Sequence, residues 1–188
     1  MALEKKTRST GLKAAYFGDV TADGKMPELM KQLARTYKGT ASFTTEADTT
    51  QDFYCEEEPT VPMESMQSDP GVKQVKLNFA EFDNETLINV MGGIECEEEE
   101  VTIDGVTYLV KKYGAPTEME QIYKSVRTIT RSMVVIDIPR TAITARFVWN
   151  LSSNELAQVE VTAKILSPVK SGVQPYYIYK LDKVKEGS

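Results

Sequence analysis

"ITARFVWNL", residues 143–151, with "VEVTAKI", residues 159–165, shortly after it, decides the fold class. In the first stretch Ile143, Ala145, Phe147, Trp149 and Leu151 take every second position, with Thr144, Arg146 and Asn150 between them. In the second, Val159, Val161, Ala163 and Ile165 alternate with Glu160, Thr162 and Lys164. Successive side chains of a strand point to opposite faces. Period two therefore reads as antiparallel strands with one face on a core and the other on solvent or a partner. "VKLNF", residues 75–79, repeats the pattern, with Val75, Leu77 and Phe79 inward and Lys76 and Asn78 outward.

The rest of the chain is read outward from these strands. In "IECEEEEVTIDG", residues 94–105, Asp104-Gly105 suits the centre of a type I′ turn, where both φ angles are positive. That turn pairs Ile103 with Val106, Val101 with Tyr108 and Glu99 with Val110, and it sets Glu98 opposite Lys111. "FDNETLINVMGG", residues 82–93, predicts a helix over about 83–91: Asp83 caps it, Glu85 lies in its first turn, and Leu87, Val90 and Met91 share a side. Gly92 ends it, and at about two turns it needs a sheet to lie on. "PELMKQLARTY", residues 27–37, also has helical spacing, between β-rich flanks. Residues 43–71, with three prolines and no Lys or Arg, read as a projecting arm, a long loop or an extended hairpin. "SPVKSGVQP", residues 167–175, connects to a last strand, "YYIYKL".

With 188 residues, 41% of them hydrophobic, the chain is expected to form one domain over 1–188 that buries roughly 70% of its unfolded surface. The prediction is a mainly β fold: an antiparallel β-sandwich with one short flanking helix and the projecting arm. No apolar run approaches a membrane span, and the N-terminal "MALEKKTRSTG" has no apolar stretch after its charges. Synthesis in the cytoplasm, free thiols at Cys55 and Cys96, and no membrane association are the corresponding expectations.

The absence of histidine removes Ser-His-Asp and Cys-His catalysis and the usual zinc and iron ligand sets. Charge is unevenly spread. Residues 1–38 hold eight Lys/Arg against four Asp/Glu, residues 39–110 two against seventeen, and residues 111–188 twelve against seven. A net charge of −6 repels phosphate, so a duplex-binding role is disfavoured.

The acidic middle contains two echoing runs, Glu56, Glu57 and Glu58 after Cys55, and Glu97, Glu98, Glu99 and Glu100 after Cys96. Hard cations take several carboxylate and carbonyl oxygens, so a cation site is the sharpest chemical reading. Neighbours in a strand diverge, however, so Glu97 and Glu99 face away from Glu98 and Glu100, and no D-x-D-x-D-G loop is present. An acid–base pair would need an apolar pocket that the sequence does not supply. Glutamates beside each cysteine disfavour thiolates. Met91-Gly92-Gly93 ends a helix instead of opening one, so it is no phosphate loop. Tyr176, Tyr177 and Tyr179 beside Lys180 and Lys183 suit a base-stacking platform, but a C-terminal strand with tyrosines on both faces accounts for them more simply. No catalytic residue, cofactor or metal site is assigned; the acids are candidates for a lumen or inter-subunit surface.

In order and texture the chain resembles the tail tube (major tail) proteins of long-tailed bacteriophages and of prophages in gut bacteria. The stretch "VKLNFAEFDNETLINVMGG", residues 75–93, carries most of the likeness, and "RFVWNLSSNELAQVEVTAKILSP", residues 146–168, supports it. The resemblance implies a virion structural protein, a β-sandwich without a catalytic site. Six copies would form a ring, and rings would stack with other tail proteins into a tube through which DNA passes without specific binding. The inner tubes of type VI secretion systems share that fold and stand as a near alternative. Two other classes compete: a β-sandwich module that recognises protein or carbohydrate through the 43–71 arm, and a carboxylate-dependent hydrolase.

Overall fold

The computed structural model describes residues 6–182. Its body is one seven-stranded antiparallel sheet. β1 (Leu12–Asp19) pairs with β10 (Ile122–Thr130), which pairs with β11 (Val134–Val148), then β12 (Gln158–Ile165), β5 (Lys73–Phe79) and finally β2 (Ser42–Thr45). β11 is long enough to serve two partners on one side, β13 (Tyr177–Lys180) along Val134–Asp137 and β12 along Thr141–Val148.

The sheet folds over on itself. Phe17 of β1 meets Phe79 of β5 edge to face with ring centroids 5.8 Å apart, although these strands lie near opposite ends of the strand order. Val126, Ile138, Leu77, Val159 and Val161 complete the layer between, all essentially inaccessible. The alternation read in β5 and β12 is realised: Val75, Leu77, Phe79, Val159, Val161 and Ala163 are buried. In β11 it runs out sooner. Ile143 is buried and Ala145 and Phe147 are partly so, but the strand ends at Val148, leaving Trp149 54% and Leu151 78% exposed. Beyond the last β12 partner there is no strand to carry the inward face further.

The helix α1 (Asn84–Met91) stands where the sequence predicts it. The Asp83 carboxylate accepts from the Thr86 N–H at 2.7 Å, and Gly92 at φ 76° ends the helix. Leu87 and Val90 enter the core, and the buried Thr86 hydroxyl donates to the Leu33 carbonyl. That last contact explains residues 27–37, which form no helix. Lys31 exchanges both backbone hydrogen bonds with Phe17 on the outer side of β1. Tyr37 donates to Asn78, and Arg35 accepts from Ala80. The backbone groups a helix would need are engaged in stapling β1 to the end of β5.

Three two-stranded pieces lie outside this body: β3 (Thr49–Phe53) with β4 (Glu64–Asp69), β6 (Ile94–Glu95) with β9 (Tyr113–Gly114), and β7 (Glu99–Ile103) with β8 (Val106–Val110). The 43–71 arm differs from its expected bounds at the base. Residues 43–45 belong to the main sheet, where Phe43 packs edge to face on Tyr176 at 5.6 Å. The β2–β5 ladder then continues through Glu46 N–H to the Val72 carbonyl and into β3–β4. Where the two backbones cross, a Cβ on Gly71 would stand 2.3 Å from the Glu46 carbonyl oxygen, so only glycine fits.

Candidate assembly surfaces

The β7–β8 hairpin forms in the predicted register. Ile103 pairs with Val106, Val101 with Tyr108 and Glu99 with Val110, and Asp104 and Gly105 have φ of 52° and 78° as a type I′ turn requires. Its charge pairing differs: Lys112 bridges to Glu99 instead of Lys111 to Glu98. The Lys112 carbonyl already accepts from the Cys96 N–H, which holds Lys112 at the root of the hairpin.

This hairpin buries little. Ile103, Val106, Tyr108 and Leu109 are exposed, Leu109 to 66%, so apolar side chains stand in solvent on both faces of a two-stranded ribbon. The β3–β4 arm is alike. Every residue of its two strands is exposed, and Phe53, Tyr54, Val61, Met63 and Met66 lie open along it. Among the described residues, the hydrogen bonds of 49–69 stay within the arm. Isolated two-stranded ribbons are marginally stable in water, and contiguous exposed apolar surface marks an interaction site.

The two glutamate runs fall on these ribbons. Glu56, Glu57 and Glu58 occupy the exposed connection between β3 and β4, while Glu97, Glu98, Glu99 and Glu100 lead into and begin β7. The structure thus sets each run together and separates the two onto different hairpins. Among the described residues no three acids, cysteines or histidines converge as a metal-holding group.

A second surface is basic. Lys13 and Arg131, at the start of β1 and the β10–β11 turn, face Arg35, Tyr37 and Lys38 across a groove of about 580 Å³ with no acid in its walls. Lys13, Arg131 and Lys38 are exposed, and Arg35 leans on Glu81 at 3.2 Å. Gly11, Leu12 and Ala41 also border an adjoining apolar cavity of about 190 Å³, walled by Phe43, Val75, Leu77 and Ile136.

The densest polar cluster escaped the sequence reading. Arg127 donates two bonds to Asp137, at 2.6 and 2.8 Å, and the Tyr179 hydroxyl donates a third at 2.9 Å. Asp137 is buried, and its bond raises the Arg127 guanidinium above the usual range. Burial, then the bond to Asp137, pushes the Tyr179 phenol up. With its carboxylate so engaged, the triad ties β10, β11 and β13 together and presents no nucleophile. One signal existed: Asp137 interrupts the apolar run "VVIDIP", residues 134–139. β13 holds Tyr177 and Tyr179, which alternation sets on one side, whereas Tyr176 precedes the strand and packs on Phe43, so the strand itself does not carry tyrosines on both faces. Lys183 lies outside the described residues. Among those described, no helix is long and apolar enough to cross a membrane.

No protein-family model matches the sequence, and no curated protein matches it.

Proposed function

We propose that the chain is a non-enzymatic structural subunit that self-assembles into rings stacked as a phage tail tube, six copies to a ring, with DNA passing through. The observation that carries this reading is the pair of ribbons, β3–β4 and β7–β8, that expose apolar side chains and have no core of their own. Edge strand β2 supports it, since an edge with free backbone groups is a template for another chain. Identical subunits joined through unlike surfaces close into rings or extend as filaments. A lumen lined by the Glu97–Glu100 run repels the DNA backbone, the inverse of counterion-release binding, and so lets DNA slide. The resemblance over residues 75–93 and 146–168 agrees with this role.

Negative-stain electron microscopy of the concentrated protein tests it. Uniform rings or tubes are expected. Persistent monomers across concentration would overturn the reading and favour a binding module that uses the same arm on another protein.

A further inference from the structure

We infer that the basic groove beside β1 is the receptor for the acidic β3–β4 arm of a second copy of this chain. The inference rests on the self-assembly reading and names the contact through which it runs.

Charge comes first. The 43–71 segment carries eight carboxylates and no Lys or Arg, whereas the groove walls hold Lys13, Arg35, Lys38 and Arg131 and no acid. Shape and polarity agree with charge. The groove adjoins the apolar cavity over Leu77 and Ile136, and the arm carries exposed Phe53, Tyr54, Val61 and Met63 around its Glu56–Glu58 run. An acidic ribbon with apolar anchors fits a basic rim that opens onto an apolar pocket.

Placement decides that the occupant is another copy. The groove takes Tyr37, Lys38 and Ala41, just before β2 begins at Ser42, and the arm leaves after β2 ends at Thr45. Donor and receptor therefore lie at opposite ends of the β2–β5 ribbon, separated by roughly 13 Å of strand even before the arm extends. Joined arm to groove, copies run head to tail, and such a heterologous contact propagates. Opposite patches set encounter and register, while the apolar anchors supply the hold.

The test is zero-length carboxyl-to-amine cross-linking of full-length chains, mixed as heavy and light isotopic forms. Heavy–light peptides joining Glu56–Glu58 to Lys13 or Lys38 are expected. The triple reversal Lys13→Glu, Lys38→Glu, Arg131→Glu, which also removes the reactive amines, is read by assembly alone and should lower it at least about tenfold, because like charges then meet. Adding Glu56→Lys, Glu57→Lys and Glu58→Lys in the same chain should restore assembly. All six positions are exposed, so the variants should keep the parent's circular dichroism. Rings that form without these peptides, with the triple reversal assembling like the parent, overturn the arm–groove contact and leave the assembly reading standing. Monomers without heavy–light peptides at any concentration overturn both.

Discussion

Strands β5 and β8 are written alike and end differently. β5 alternates Val75, Leu77 and Phe79 with polar residues, and all three are buried. β8 places Val106, Tyr108 and Val110 at the same spacing, and Val106 and Tyr108 stand in solvent. The difference lies in neighbours. β5 is flanked by β12 and β2 and faced by Phe17 across the fold, whereas β8 has β7 alone. Alternation specifies that a face is to be covered; it does not say whether the cover comes from the same chain. In the sheet it does, and on the ribbons we propose that a second copy supplies it.

The largest separation of the two regions should come from truncating one apolar side chain in each. Phe79→Ala should cost about 3–5 kcal/mol, measured by urea unfolding, since it removes a fully buried ring and leaves a cavity. Tyr108→Ala should change monomer stability by no more than about 0.5 kcal/mol while lowering assembly. A comparable loss from both would erase the distinction between body and ribbon.

Next in size is the polar clamp. Asp137→Ala leaves the Arg127 guanidinium without its two bonds and frees the Tyr179 hydroxyl. Breaking a well-buried pair costs about 3–5 kcal/mol, and because Arg127 is 32% accessible the cost here should be nearer 2 kcal/mol. Unfolding curves give the number, and hydrogen exchange should show β13 losing protection before β11.

The helix cap is smaller. Asp83→Ala should cost about 1 kcal/mol at neutral pH. Hydrogen bonding from Thr86 holds the Asp83 carboxyl below the ordinary aspartate range. A lowered folded-state pKa means the cap's contribution is complete above the unfolded value and is lost as pH falls through the folded one. Parent and variant unfolding curves should therefore converge in acid. A gap that stayed constant would show that the carboxylate is not the stabilising species.

Smallest for the monomer, and most telling for the ribbons, is Glu97→Gln, Glu98→Gln, Glu99→Gln, Glu100→Gln in one chain. Exposed charges contribute little, so stability should move by less than about 0.5 kcal/mol. Ring or tube yield should change, or the tube should retain DNA after nuclease treatment. A variant indistinguishable from the parent in both would reduce this run to ordinary solvated surface.

These expectations also mark what the sequence made legible. Local signals carried far: the Asp104-Gly105 turn set the β7–β8 register, and Asp83 and Gly92 bounded the helix. Signals that depend on distant partners did not. Residues 27–37 have helical spacing, but Phe17 and Asn78 claim their backbone groups, and nothing local announces that. Trp149 continues the alternation in sequence but falls one residue past β11, where it packs on Phe82 and Phe147 and stays half exposed. The basic groove draws Lys13, Lys38 and Arg131 from segments that only folding brings together, so charge counts along the chain indicated basic flanks without their shape.

Backbone hydrogen exchange across a concentration series tests most directly the claim that the ribbons are completed by another copy. At low concentration the amides of 49–69 and 99–110 should exchange quickly while those of 134–148 are strongly protected, because stability follows local burial. As concentration rises, protection should grow in both ribbons and stay constant in β11. Equal, strong protection of ribbons and sheet at every concentration, or ribbons that stay unprotected in the most concentrated sample, would contradict it.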